Sequence, residues 1–97
     1  PQAIAPLISL VGDYDPGVRR VAVEALGKIG DPQAAPAVIG ALADESSSVR
    51  CAAAVTLGRM GDSSAIGPLA QASKDKNSGG RLAAVKAISS IRLRSRS

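Results

Sequence analysis

Apolar residues along this chain fall three and four positions apart, in short runs broken by polar turns, and that spacing places them on one side of an α-helix. The runs alternate between two kinds. The first kind reads Ile4, Leu7, Ile8 and Val11, then Ala35, Val38, Ile39 and Leu42, then Ile66, Leu69 and Ala70. The second reads Val18, Ala22, Leu26 and Ile29, then Val49, Ala53, Leu57 and Met60, then Ala84, Ile88 and Ile91. They predict first helices over 2–12, 32–43 and 63–74, and second helices over 16–29, 48–60 and 79–92. The links within each pair are short and polar: Asp13-Tyr-Asp-Pro-Gly17, Asp44-Glu-Ser-Ser-Ser48 and Asp75-Lys-Asn-Ser-Gly79.

Punctuation residues agree with these bounds. Asp31-Pro32 and Asp62-Ser63 are helix starts, because the aspartate oxygen can accept a free backbone N–H and proline suits the first turn. Asp15 before Pro16, and Ser47 or Ser48, are candidate N-caps for the second helices. Gly30 and Gly61 stand where a left-handed residue ends a helix. Gly27 and Gly58 lie inside second helices at one register, which predicts close helix contact. Pro6, Pro36 and Pro68 recur inside the first helices and predict a bend there.

The pattern repeats every 31 residues without a gap. Aligning 1–31 with 32–62 gives 12 identities in 31 positions. Repeats therefore span 1–31, 32–62 and 63–93, with a basic tail at 94–97. A fixed period of this length marks a solenoid of stacked units, here a single all-α domain of three hairpins and six helices. The third repeat drifts: Gly80 replaces the valine of Val18 and Val49, Ser89 replaces Gly27 and Gly58, and Arg92-Leu93 replaces Gly-Asp. Terminal repeats are often atypical because one side meets water. The first repeat shows no such drift. It predicts a chain cut from a longer array, with end-to-end self-association through the uncapped first repeat.

Composition narrows the chemistry. The 97 residues include neither Phe nor Trp, and Tyr14 is the sole aromatic, so Ala, Val, Leu and Ile must fill the core. The formal charge is +4, but Arg92, Arg94 and Arg96 supply three of those charges. Residues 1–91 hold nine basic and eight acidic side chains. The basic end reads as a frayed terminus rather than an address. Cys51 is alone, which excludes a disulfide framework and a thiolate metal cluster and suits a reducing, cytoplasmic setting. No apolar run reaches membrane-spanning length.

Histidine is absent, which removes the usual general base and metal ligand. Cys51 reads as a small apolar filler, although Arg50 beside it could lower its pKa. The paired acids Asp44-Glu45 and Asp13/Asp15 read as turn caps. Gly79-Gly80-Arg81 lacks the spacing and ending of a phosphate loop. The expectation is a protein that is not an enzyme and needs no cofactor or metal.

The repeated string Val-Arg-x-x-Ala-x-x-x-Leu-Gly-x-Ile/Met-Gly-Asp, as at Val18–Asp31 and Val49–Asp62, resembles the HEAT-like repeats of the phycobilisome-lyase type. The resemblance covers essentially the whole chain and is weaker in the third repeat. It implies a right-handed α–α superhelix with first helices on the convex side and second helices on the concave side. It also implies a structural ladder in which Asp13, Asp44 and Asp75 pair with Arg19, Arg50 and Arg81. It carries no catalytic mechanism. Most members of that family look like interaction modules, and a minority serve in attaching bilins to phycobiliproteins.

Within each second helix some positions ignore the repeat. They are Arg20, Val21, Glu24 and Lys28, then Cys51, Ala52, Val55 and Arg59, then Leu82, Ala83, Lys86 and Ser90. If the second helices stack, these positions form a concave patch with an apolar middle and a charged rim, as protein-binding surfaces have. The alternative buries Ala52 and Ala83 between helices and leaves only the charged members wet. The expected partner is a protein. A bilin-lyase subunit is a second reading. Nucleic-acid backbone binding through Arg20, Lys28, Arg59 and Lys86 is a third, weakened by Glu24 and by the lack of an aromatic for base stacking.

Overall fold

The structure, a computed structural model, describes residues 4–95. These form six α-helices: α1 (Ile4–Leu10), α2 (Pro16–Ile29), α3 (Ala35–Ala41), α4 (Ser47–Met60), α5 (Ile66–Ala72) and α6 (Ser78–Ser95). Helices pair as α1 with α2, α3 with α4 and α5 with α6, and the hairpins stack through α2, α4 and α6. The second helices pack on one another along their length, whereas the first helices make no comparable contact among themselves. The Cα trace is 16 Å deep in its thinnest direction, the depth of two packed helices at interaxial distances of about 8–10 Å. The fold is an α-solenoid.

The second helices start and stop nearly where the pattern places them. Asp15 caps α2 by accepting the Gly17 N–H at 2.7 Å, and Pro16 opens the first turn. Gly30 and Gly61 end α2 and α4 at φ 72°, a conformation that a Cβ disfavours. One cap differs from expectation. Ser46, not Ser47 or Ser48, is the N-cap of α4, and its side chain makes no capping bond. Its backbone N–H is instead taken by the Asp44 carboxylate, so the aspartate organises the turn that the serine only occupies.

The first helices are shorter than their periodicity predicts. Pro32–Ala34 and Ser63–Ala65 form single 3-10 turns, capped by Asp31 and Asp62, before α3 and α5 begin. Pro36 and Pro68 therefore fall in the first α-helical turn, as does Pro6 in α1. There the missing N–H had no helical partner to lose. The expected interior bend is instead a change of helix type just ahead of the proline.

The core follows the two-layer stack. Val23, Leu26, Val38, Val49, Ala53, Leu57, Leu69, Ala84 and Ile91 are fully enclosed. Three positions assigned to apolar stripes are exposed: Val18 and Ile29 on the first hairpin, and Ala70. Val18 lies on the outer side of α2, where no hairpin covers it. Val49, at the same register of the second repeat, is enclosed. Ala34, Ala41 and Ala65 are buried core members that the stripes omit. The internal glycines act as expected. A Cβ on Gly27 would lie 2.7 Å from Thr56 Cγ2, and one on Gly58 would lie 3.0 Å from the Ala87 Cα.

As far as Ser95 the basic end is helical rather than frayed. Helix α6 runs through Arg92 and Arg94 to Ser95, three residues beyond the expected stop. Arg94 Nη1 donates to the Arg59 carbonyl near the C-terminus of α4, where a cation offsets the helix dipole. Residues 96–97 of the expected tail lie outside the described residues.

Candidate functional site

Two constellations arise where hairpins meet: a charged ladder along the inter-helix turns and a pair of grooves along the second helices. In the ladder, Arg19 at the start of α2 points across to the next hairpin. Its Nε and Nη2 meet Asp44 Oδ2 and Oδ1 at 2.8 and 3.0 Å. Its Nη1 donates back to the Asp13 and Tyr14 carbonyls of its own turn. Arg50 repeats the arrangement one unit on, with Asp75 at 2.7 and 3.2 Å and the Asp44 and Glu45 carbonyls. Bidentate arginine–carboxylate pairs are strong and directional. Each carboxylate also accepts a backbone N–H two residues ahead: Asp15 on Asp13, Ser46 on Asp44 and Asn77 on Asp75. The six ladder residues thus sit at equivalent places, and the pairing runs from the arginine of one repeat to the aspartate of the next.

Electrostatics follow this geometry. Burial pushes the Asp44 carboxyl up, but Arg19 and the Ser46 N–H outweigh it and hold the group below its ordinary value. Arg50 and the Asn77 N–H do the same for Asp75. Arg19 and Arg50 are raised in turn, mainly by the hydrogen bonds to their aspartates. Asp62 is lowered by its hydrogen bonds with Ser64. All described buried side-chain polar atoms have partners. Among the described residues this is a structural network whose buried side-chain polar atoms are satisfied.

The two grooves along the second helices are accessible. The first, about 270 Å³, lies between α2 and α4 and is lined by Arg20, Glu24, Ser48, Cys51, Ala52, Val55, Thr56 and Arg59. The second, about 230 Å³, lies between α4 and α6 and is lined by Val55, Gly58, Arg59, Ala83, Lys86, Ala87, Ser90 and Arg94. Val55 and Arg59 belong to both, so the two grooves form one continuous surface. Ala52 and Ala83 are largely buried and form the floors. Cys51 is half-buried, with its Sγ 3.9 Å from the Gly79 carbonyl, a filler position.

Three of the expected patch residues stand apart. Val21 faces the outer end of the first hairpin, beside Leu7, Leu10 and Val18. Lys28 and Leu82 are exposed but line neither groove. Residues missed by the repeat-variable rule are Ser48, Thr56, Gly58, Ala87 and Arg94. Gly58 keeps the repeat, and Arg94 lies past it, so variability could not find either. Arg20 is tied to Glu24 at 3.5 Å and to Ser48 Oγ at 3.0 Å, which leaves Arg59 and Lys86 as the projecting cations.

A profile of HEAT repeats matches residues 1–50 and 38–96. The chain belongs to the HEAT-repeat family. The match is to HEAT repeats as a class and does not single out the phycobilisome-lyase kind. No curated protein matches the chain. As a HEAT-repeat protein it joins a family whose stacked helices generally mediate protein–protein interaction. Among the described residues no cluster of His, Cys, Asp and Glu could hold a metal ion, and no helix is long and apolar enough to cross a membrane.

Proposed function

We propose that this HEAT-repeat chain is a non-catalytic scaffold that holds a protein partner along the two grooves of its second helices. The carrying observation is the continuity of those grooves through Val55 and Arg59. An exposed valine flanked by alanine floors supplies an apolar centre, and Arg20, Arg59, Lys86 and Arg94 supply a largely cationic rim against Glu24. That anatomy suits a partner segment carrying acidic side chains around small apolar ones. The grooves are shallow and open, which favours a macromolecular surface over an enclosed small ligand. Tyr14 lies fully exposed in the first turn, away from both grooves, so no aromatic platform favours nucleic acid.

Affinity capture from source cells, quantified for the wild-type bait and three variants, tests this reading. Val55→Asp and Arg59→Glu are expected to lose the same captured protein, whereas Lys28→Glu, outside both grooves, is expected to keep it. Equal capture by all four baits would refute the assignment. A phycobilisome-lyase role, with the grooves holding a phycobiliprotein for bilin attachment, is a special case of this reading. Titration with an apo-phycobiliprotein tests it. Tight, steeply salt-dependent binding of an oligonucleotide would replace the protein reading with the nucleic-acid one.

A further inference from the structure

The two grooves differ in charge. In the α2–α4 groove the charges on α2 offset each other: Arg20 Nε meets Glu24 Oε2 at 3.5 Å, one helical turn on. Arg20 Nη1 also donates to Ser48 Oγ at 3.0 Å. What remains between the two helices is an apolar strip of Cys51, Ala52 and Val55. The α4–α6 groove carries Arg59, Lys86 and Arg94, with no acidic side chain among its described lining residues. Its floor is Gly58, Ala83 and Ala87.

The three cations have different reasons to be there. Arg59 and Arg94 stand near the ends of α4 and α6, where the last carbonyls favour a positive charge. Lys86 has no such reason. It stands midway along α6, and the residues three and four positions away, Leu82, Ala83, Ser89 and Ser90, include no carboxylate. At its register in the preceding repeats stand Val55 and Glu24. One row across the three second helices thus reads acid, valine, lysine. Its middle helix, α4, has a hairpin in place on either side. Val55 is nonetheless 46% exposed. Hairpins stack against the outer sides of second helices, so further ones would not cover it.

Resting on the scaffold reading above, we propose that the partner segment is acidic and extended and crosses α4 over Val55. It sets a small apolar side chain in the α2–α4 groove and turns carboxylates toward Lys86 and Arg59 in the α4–α6 groove. The offset pair on one side of the crossing and the uncompensated cations on the other decide which part of the segment lies on which groove. Neighbouring helix axes are about 8–10 Å apart, and an extended chain advances about 3.3 Å per residue. The apolar and acidic positions are therefore about three residues apart. The glycine and alanine floor lets the partner main chain come close.

NMR titration of the isotope-labelled 97-residue chain with the synthetic peptide Ser-Ala-Val-Ser-Ser-Glu-Glu-Ser tests the proposal. The expected result is saturable shifts of the Val55, Arg59, Lys86 and Ser90 amides. A peptide with lysines for the glutamates is expected to bind at least about tenfold more weakly, the effect of reversing a complementary charge. Lys86 is exposed, so Lys86→Glu leaves the fold intact, and it is expected to prefer the lysine peptide. Lys28→Glu makes the same change of net charge outside both grooves and is expected to keep the wild-type order. Moving the glutamates beside the valine, as Ser-Ala-Val-Glu-Glu-Ser-Ser-Ser, is expected to weaken binding. Equal binding of those two acidic peptides would overturn the crossing over α4. Shifts that never saturate, or that map outside the grooves, would overturn the proposal. So would a thymidine octanucleotide that displaces the peptide and binds more tightly. Equal affinity for glutamate and glutamine peptides, with shifts in the grooves, would overturn the acidic assignment and leave the scaffold reading standing. Failure of the scaffold reading itself shows separately, as equal capture by all four baits.

Discussion

At the scale of single residues, small side chains set the stability of this protein. Without phenylalanine or tryptophan to anchor the core, Leu57 is the central filler: it is fully enclosed on α4, between neighbouring hairpins. Leu57→Ala is expected to cost about 2–5 kcal/mol, the range of buried leucine truncations, read by urea unfolding. A cost near zero would place Leu57 outside the core. Two glycines predict opposite signs for one chemical change. Gly58→Ala puts a Cβ 3.0 Å from the Ala87 backbone, so α6 must retreat, at about 1–3 kcal/mol for overpacking. Gly40 on α3 has nothing within 4 Å of its would-be Cβ. Gly40→Ala is expected to stabilise by about 0.5–1 kcal/mol, the backbone advantage of alanine in a helix. Thermal melts of both variants separate close packing from helix propensity, because propensity alone would stabilise both.

At the scale of elements, the second helices were legible in the sequence and the first helices only partly so. Helices α2 and α4 carry unambiguous punctuation, Asp15-Pro16 or the Asp44 turn before them and Gly-Asp after them. Their starts and stops follow from local chemistry. The first helices begin as 3-10 turns because Asp31 and Asp62 cap a tight turn that hydrophobic spacing does not resolve; both helix types place apolar residues three apart. The end of α6 was misjudged because no glycine stops it. What holds it on is the Arg94 bond to the end of α4, a tertiary contact that spacing cannot show. The grooves were half legible. Variability at a fixed register found Arg20, Glu24, Val55, Arg59, Lys86 and Ser90, but it could not separate the groove side of α2 from its outer side, where Val21 lies. The ladder's partners came from the family resemblance, and the structure adds their direction, from each arginine to the following aspartate.

The ladder, together with the Asp62 cap, also sets how the chain responds to pH. Asp44, Asp62 and Asp75 have folded-state pKa values below their ordinary ones. The folded chain therefore binds fewer protons than the unfolded chain in the acid range, and stability falls as pH falls. The contribution is fully present above the ordinary aspartate value of about 3.9 and is lost as pH drops through the depressed values. With no histidine in the chain, no side chain of that type titrates between pH 5 and 8. Unfolding free energy is expected to stay nearly level from about pH 5 to pH 8 and to fall below about pH 4. Asp75→Asn is expected to flatten that acid limb. A loss of stability centred near pH 6.5 would contradict this account.

For the whole molecule, a stack in which each hairpin touches only its neighbours has stability set by its junctions. Helix α4 shares both junctions and has seven of its 14 residues buried. Helix α2, with one junction, has four of 14, and α6 has five of 18. Local opening should therefore be graded, with the middle hairpin last to open. Native-state hydrogen exchange is expected to find the slowest amides in α4, around Ala53 to Leu57. Those in α1 and in the last turn of α6 should be faster. Protection that is uniform along the chain would mean that the three hairpins open as one unit and that the junctions are too strong to act separately.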